Sequence, residues 1–212
     1  MDAINAAGLI KLFEALKATF AEQREFLIAL DGKVGDSDLG ITMSKSFAAA
    51  YDTVVAEGEG ASIAKLLKSA GVIMAKTAPS TMGTLTATGF LRGGKALDEA
   101  TAIGTAELAA FWRAFADGVA ERGKAKVGDK TLLDVLDPIA RSMEASAADG
   151  ASLASGLSAA TRAAAEALEN TKTMVAQHGK AAAFQEKSRG LQDAGATVGL
   201  LIVQTMHNFV AA

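Results

Sequence analysis

The chain has 212 residues, half of them hydrophobic, with a formal net charge of -3, two histidines and no cysteine. That length fits one domain spanning residues 1–212, and the absence of cysteine excludes disulfide scaffolds and thiol chemistry. The slightly acidic balance, with no concentrated Lys/Arg stripe, excludes the electrostatic footprint of a nucleic-acid binder.

No continuous apolar run of roughly 18 to 20 residues stands out as a membrane span, and Met1-Asp2-Ala3 lacks the basic start of a secretory signal. The expectation is a soluble, cytoplasmic protein that binds neither nucleic acid nor membrane. Alanine dominates and the only two prolines are Pro79 and Pro138, which favours helix over strand throughout. Leu9, Leu12, Phe13, Leu16, Phe20, Phe26, Leu27 and Leu30 recur at helical spacing and predict one long amphipathic helix ending near residue 29.

The next stretch, Leu30-Asp31-Gly32-Lys33-Val34-Gly35-Asp36-Ser37-Asp38-Leu39-Gly40, packs three carboxylates and several glycines into one turn. If Asp31, Asp36 and Asp38 converge they repel one another unless a cation sits among them, and hard divalent ions prefer such oxygen ligands. Magnesium is the expected ion, since it keeps waters and shares its remaining ligands with substrate phosphates. Asp36 or Asp38 as an N-cap for the following helix is the simpler alternative, but one helix start uses one cap. A calcium EF-hand fails, because a loop starting at Asp31 has Asp36 at its sixth position and Thr42 at its twelfth.

A second helix is expected over about 41–56, closed by Gly58 and Gly60, with Ser62 capping a third. Lys76-Thr77-Ala78-Pro79-Ser80-Thr81-Met82-Gly83-Thr84 then joins two helices with hydroxyls and backbone donors, a composition that suits phosphate as well as an ordinary capped turn. Further helices are expected over about 84–97, 105–122, 130–148, 152–176 and 194–210. The total of seven or eight predicts an antiparallel all-α bundle or barrel of about eight helices.

Arg122-Gly123-Lys124-Ala125-Lys126-Val127-Gly128-Asp129-Lys130-Thr131 superficially resembles a Walker A loop, but Asp129 interrupts the motif and no strand precedes it. Asp129 is read instead as a cap for the next helix. Asp193-Ala194-Gly195-Ala196-Thr197 reads as a polar turn opening the last helix. His178 and His207 are too dispersed for a zinc site or a triad, and surface or core roles are expected of them.

In order, the Leu30–Gly40 loop, the Arg122–Thr131 stretch and Gln192-Asp193-Ala194-Gly195-Ala196-Thr197 resemble the nucleotide-binding subunits of dihydroxyacetone kinases, the DhaL family, across nearly the whole chain. The resemblance implies an eight-helix barrel with ADP or ATP at one end, its phosphates held through two magnesium ions by Asp31, Asp36 and Asp38. It further implies that Leu39, Gly40 and Thr42 lie near the phosphates and that Thr81, Met82 and Gly83 form a phosphate loop. Gly123, Thr131 and Leu132 would flank the nucleoside, with Asp193 and Gly195 closing the site. It implies phosphoryl transfer to dihydroxyacetone or a related short sugar held on a separate DhaK-like subunit. The donor is either ATP or a bound ADP recharged by a DhaM-like phosphotransferase protein.

Leu39, Met82 and Ala194 depart from the family pattern, replacing a histidine of the phosphotransferase-type subunits, a small hydroxyl residue and a proline respectively. These departures tilt the donor towards ATP and admit a four-carbon acceptor such as erythrulose. Other readings are the nucleotide domain of a fatty acid kinase and an ADP-loaded interaction protein that docks a transcription regulator.

Overall fold

The expected helical periodicity resolves, in a computed structural model describing residues 1–212, into nine α-helices and no strand. They are α1 (Ala6–Glu22), α2 (Arg24–Asp31), α3 (Leu39–Glu57), α4 (Ile63–Thr77), α5 (Thr81–Ala96), α6 (Thr105–Gly123), α7 (Leu133–Ala148), α8 (Leu153–Asn170) and α9 (Ala194–Ala211). Short 3-10 segments at Thr171–Thr173 and Lys180–Ser188 lie between α8 and α9. From α3 onwards each helix packs against the next, and α1 closes the ring by lying against both α3 and α9. This is the expected all-α antiparallel arrangement. The helix starts of α3, α5, α7 and α9 therefore share one end of the bundle with the C-termini of α2, α4, α6 and α8.

Local chemistry explains most boundaries. Ser62, Ser80, Ser152 and Asp193 each stand at an N-cap and accept a backbone N–H three residues on, and Gly58 closes α3 at φ 75°. The core is built around aromatic rings. Phe20 stacks on Phe47 at 4.2 Å, and Phe90 meets Phe13, Phe47, Phe111 and Phe115 with centroids 5.5–6.0 Å apart. The Phe115 ring lies directly on the α5 backbone, where a Cβ at Gly89 would come within 2.2 Å of it.

Several expectations need correction. The first predicted helix is two helices, broken at Gln23 (φ -81°, ψ 3°). The apolar stripe runs through that break because Phe20 and Leu27 are both buried. The turn brings α2 against the start of α3, with the Arg24 carbonyl 2.1 Å from where a Gly40 Cβ would stand. Helix α5 begins at Thr81 rather than near 84, α7 at Leu133 rather than 130, and α8 ends at Asn170 rather than near 176. Asp129 does not cap α7; Asp134, within its first turn, accepts from Gly128 and Thr131 N–H at 2.6 Å each. Ala194–Ala211 has the length and composition of a membrane span, but half of it is buried as it packs against α8, α1 and α7, which accounts for its apolarity.

Candidate functional site

At the end of the bundle where α3, α5, α7 and α9 begin lies a cavity of about 890 Å³. Its lining combines the carboxylate loop (Asp31, Asp36, Asp38, Leu39), the α5 start (Ser80, Thr81, Met82) and the α6–α7 loop (Gly123, Lys130, Thr131, Leu132). Asp193 and Gly195 at the α9 start, and His178 and Lys180 from the α8–α9 connection, complete it. A hollow of about 400 Å³ elsewhere, lined by Asn5, Glu59, Ser62 and Thr101 among others, contains one carboxylate and gathers no comparable set of polar groups.

The carboxylates of Asp31, Asp36 and Asp38 converge, with one oxygen from each lying within 4.8 Å of the others. Gly35 makes this possible, because a Cβ there would stand 2.1 Å from Asp31 Oδ1. Ser37, between the other two aspartates, takes a left-handed conformation at φ 62°. Neither Asp36 nor Asp38 caps α3 with its side chain. Asp31 does so from the preceding helix, its Oδ2 accepting the N–H groups of Asp38 at 3.1 Å and Leu39 at 3.4 Å. Burial, and then the neighbouring Asp31 charge, raise the Asp38 carboxyl above its ordinary value. Lys180 donates to Asp36 from across the cavity, a compensation for clustered negative charge that sequence reasoning missed.

The other candidate positions divide in two. Leu39, Thr81, Met82, Gly123, Thr131, Leu132, Asp193 and Gly195 line the cavity. The Met82 sulfur and the Leu132 backbone N both lie close to Gly195, 3.2 and 3.6 Å from where its Cβ would be. Gly40, Thr42 and Gly83 do not line it. Gly40 is pressed against α2, Thr42 is 7 % exposed within α3, and Gly83 faces the Ala78 carbonyl while its N–H is held by Ser80 Oγ at 3.0 Å. All three lie on the buried faces of α3 and α5.

Behind the cavity wall is a polar network. Asp193 caps α9, its Oδ1 accepting the Ala196 N–H at 2.6 Å, and its own N–H donates to Thr171 Oγ1 at 3.1 Å. One edge of the residue faces the cavity, but protein atoms crowd its carboxylate, and burial pushes that group up to about 6. Lys130 is 2 % exposed, and burial lowers its ammonium below the ordinary lysine value. His178 Nε2 lies 2.9 Å from Asp129 Oδ2. The Lys126 backbone N–H, and then His178, hold the Asp129 carboxyl below its ordinary range.

Clustered carboxylates, helix N-termini and the lysines Lys130 and Lys180 at one cavity form a site suited to a polyanion carrying divalent metal. The DAK2 domain family matches residues 33–208 of the chain. The chain belongs to the DAK2 domain family. Among relatives of this DAK2 domain, the ADP-binding subunit DhaL of the PEP-dependent dihydroxyacetone kinase of Escherichia coli is 34 % identical over 187 residues, covering 88 % of this chain and 89 % of that one. The D-erythrulose kinase of Mycolicibacterium smegmatis is 32 % identical over 94 % of this chain, which spans 35 % of that longer protein. The dihydroxyacetone kinase of C. freundii in complex with AMP-PNP and Mg2+ shares the fold with a TM-score of 0.72 at 23 % identity, over 95 % of this chain and 34 % of that one. The expected likeness to the nucleotide subunit of dihydroxyacetone kinases is borne out.

Proposed function

We propose that this DAK2 domain is the nucleotide-binding subunit of a dihydroxyacetone-type kinase. It holds magnesium and ADP or ATP at the cavity, and the terminal phosphoryl group passes to a short ketose presented by a separate DhaK-like subunit. The observation that carries the reading is the convergence of Asp31, Asp36 and Asp38 within 4.8 Å at the mouth of a cavity large enough for a nucleotide. The relatives named above, an ADP-binding kinase subunit and a D-erythrulose kinase, support the same reaction class.

The donor set fits magnesium. It is all oxygen and already convergent, and burial together with the neighbouring Asp31 charge raises the Asp38 carboxyl, a cost that a divalent ion relieves. Three carboxylates facing a polyphosphate support two ions, which when bound neutralise charge on the phosphates. The chain itself supplies position. Asp31 fixes the start of α3 beneath the loop, the α5 N-terminus faces the anion with Ser80 and Thr81, and Met82, Leu85 and Leu132 add apolar residues to the lining. Lys180 brings a positive charge from the opposite side. Leu39 lines the cavity and presents no ring nitrogen, which favours ATP over a phosphotransferase-type relay. The acceptor class is dihydroxyacetone or a four-carbon ketose such as erythrulose.

Calorimetry of ADP and ATP binding with and without magnesium, on the native protein and on Asp36→Ala, tests the proposal. Magnesium-dependent binding that the substitution abolishes is the expected result. Absence of nucleotide binding under every condition would overturn it, and a preference for ADP that ATP cannot displace would move the donor to a phosphotransferase protein.

A further inference from the structure

The connection between α8 and α9 crosses the cavity as a strap whose base is pinched shut. The Gly190 N–H donates to the Lys172 carbonyl at 2.7 Å, and Ala176 N–H donates to Ser188 Oγ at 3.0 Å. One rung below the pinch the pattern changes. The carbonyls of Thr171 and Leu191, on the two sides of the strap, both point at the Lys130 Nζ, each 2.6 Å away. Two carbonyl dipoles converging on one spot repel unless a donor stands between them, and a buried ammonium with three N–H groups meets that need.

Lys130 reaches the place from a left-handed position at φ 60°. Its loop is fixed by Asp134, which accepts from Gly128 and Thr131. The residue before it adds a second tie further along the strap. The Asp129 carbonyl accepts the Gln177 N–H at 3.0 Å, and its carboxylate meets His178. The arm held in this way carries His178, Gly179 and Lys180 to the cavity lining.

We propose that Lys130 is a positioning residue, a clasp that joins both ends of the strap to the α6–α7 loop and thereby sets how long the cavity retains its ligand. Two of its three N–H groups are already committed to backbone carbonyls, so its part is played through the strap rather than as the main contact to an anion. The retention half of the proposal rests on the nucleotide-binding reading above; the clasp itself does not.

Amide hydrogen exchange on the nucleotide-free full chain tests the clasp independently. In the native protein the Gly190, Asp193 and Thr131 amides should open as one unit with a common protection factor. Lys130→Met should speed exchange at Ala176, Gln177 and Gly190 by about tenfold or more, the scale of losing charged hydrogen bonds, while α5 and α6 amides keep native rates. Mg-ADP should dissociate from it at least about tenfold faster with little change in association rate, and Lys130→Arg should recover part of both effects. Unchanged strap exchange in Lys130→Met would overturn the proposal, as would equal acceleration of strap and core, which marks general destabilisation. If Lys130→Met does not fold, the native protein still decides, because Gly190 and Thr131 opening more than about tenfold apart breaks the clasp. Failure of the nucleotide reading shows separately, as absence of Mg-ADP binding to the native chain while the exchange pattern stands.

Discussion

The ammonium of Lys180 donates to the carboxylate of Asp36 across 144 residues of sequence. It links the strap between α8 and α9 to the loop between α2 and α3. The pair occupies one of the three carboxylates that converge at the cavity mouth, so a divalent ion entering that cluster competes with the lysine for Asp36.

Removing the competitor should therefore favour the metal. Both side chains are well exposed, where such pairs contribute at most about 1 kcal/mol. Lys180→Met should bind Mn2+ about two- to fivefold more tightly in the absence of nucleotide, measured by electron paramagnetic resonance titration. Unchanged or weaker Mn2+ binding would show that the pair does not oppose the ion.

The three aspartates should separate by their effects on stability. Asp31 also holds the first amides of α3, so Asp31→Ala should cost about 1 kcal/mol as a lost cap and lower Tm by about 2–4 °C. Asp36→Ala should leave Tm near the native value, because the Asp36 carboxylate pairs with an exposed lysine. Both should abolish magnesium-dependent nucleotide binding. Thermal unfolding of the metal-free variants provides the comparison.

Asp193 should make stability depend on pH in an unusual direction. Its carboxyl stands at about 6 in the folded protein against an ordinary 3.8, so the folded state takes up a proton as pH falls through 6, whereas the unfolded chain waits until about 3.8. The penalty for burying the ionised form is complete above pH 6 and disappears as pH falls across that window, on the order of 2–3 kcal/mol. Asn caps helices as well as Asp does, so Asp193→Asn should melt a few degrees higher than the native protein at pH 8. Loss of the charge facing Lys130 offsets part of the gain. The two melting curves should converge near pH 4, and a constant difference from pH 4 to 8 would contradict the assignment.

Gln185 sits in the strap at φ 49°, ψ -128°, a region that costs a residue with a side chain about 1–3 kcal/mol and glycine far less. Gln185→Gly should raise Tm by about 2–4 °C, and scanning calorimetry would detect it. A lower Tm would mean that the Gln185 side chain contributes contacts outweighing the backbone strain.

The convergence of the three carboxylates was legible in the sequence because its information is local, three like charges and the glycines that let them meet within a single turn. Helix starts marked by Ser62 and Asp193 were equally readable, since a cap and its amide lie three residues apart; the Ser80 cap was not, because the hydroxyl-rich run around it reads equally well as loop. The break at Gln23 was not, because the apolar period continues through it and the turn exists for contact with Gly40. Gly40, Thr42 and Gly83 were expected near the ligand through their motifs, and their absence from the cavity lining follows from the rotation of each helix about its axis, which no motif encodes. His178 and Lys180 gave no local signal at all. Their partners lie 49 and 144 residues away, and only the course of the strap brings them together.

Met1 meets the C-terminal turn of α9 at the end of the bundle opposite the cavity. The Met1 amino group donates to the Val210 carbonyl at 3.2 Å, and the 18 residues of α9 put roughly 27 Å between that contact and Asp193. An immobilising group placed beside Met1 or Val210 would thus leave the cavity end facing outward, with its carboxylate cluster open to solution.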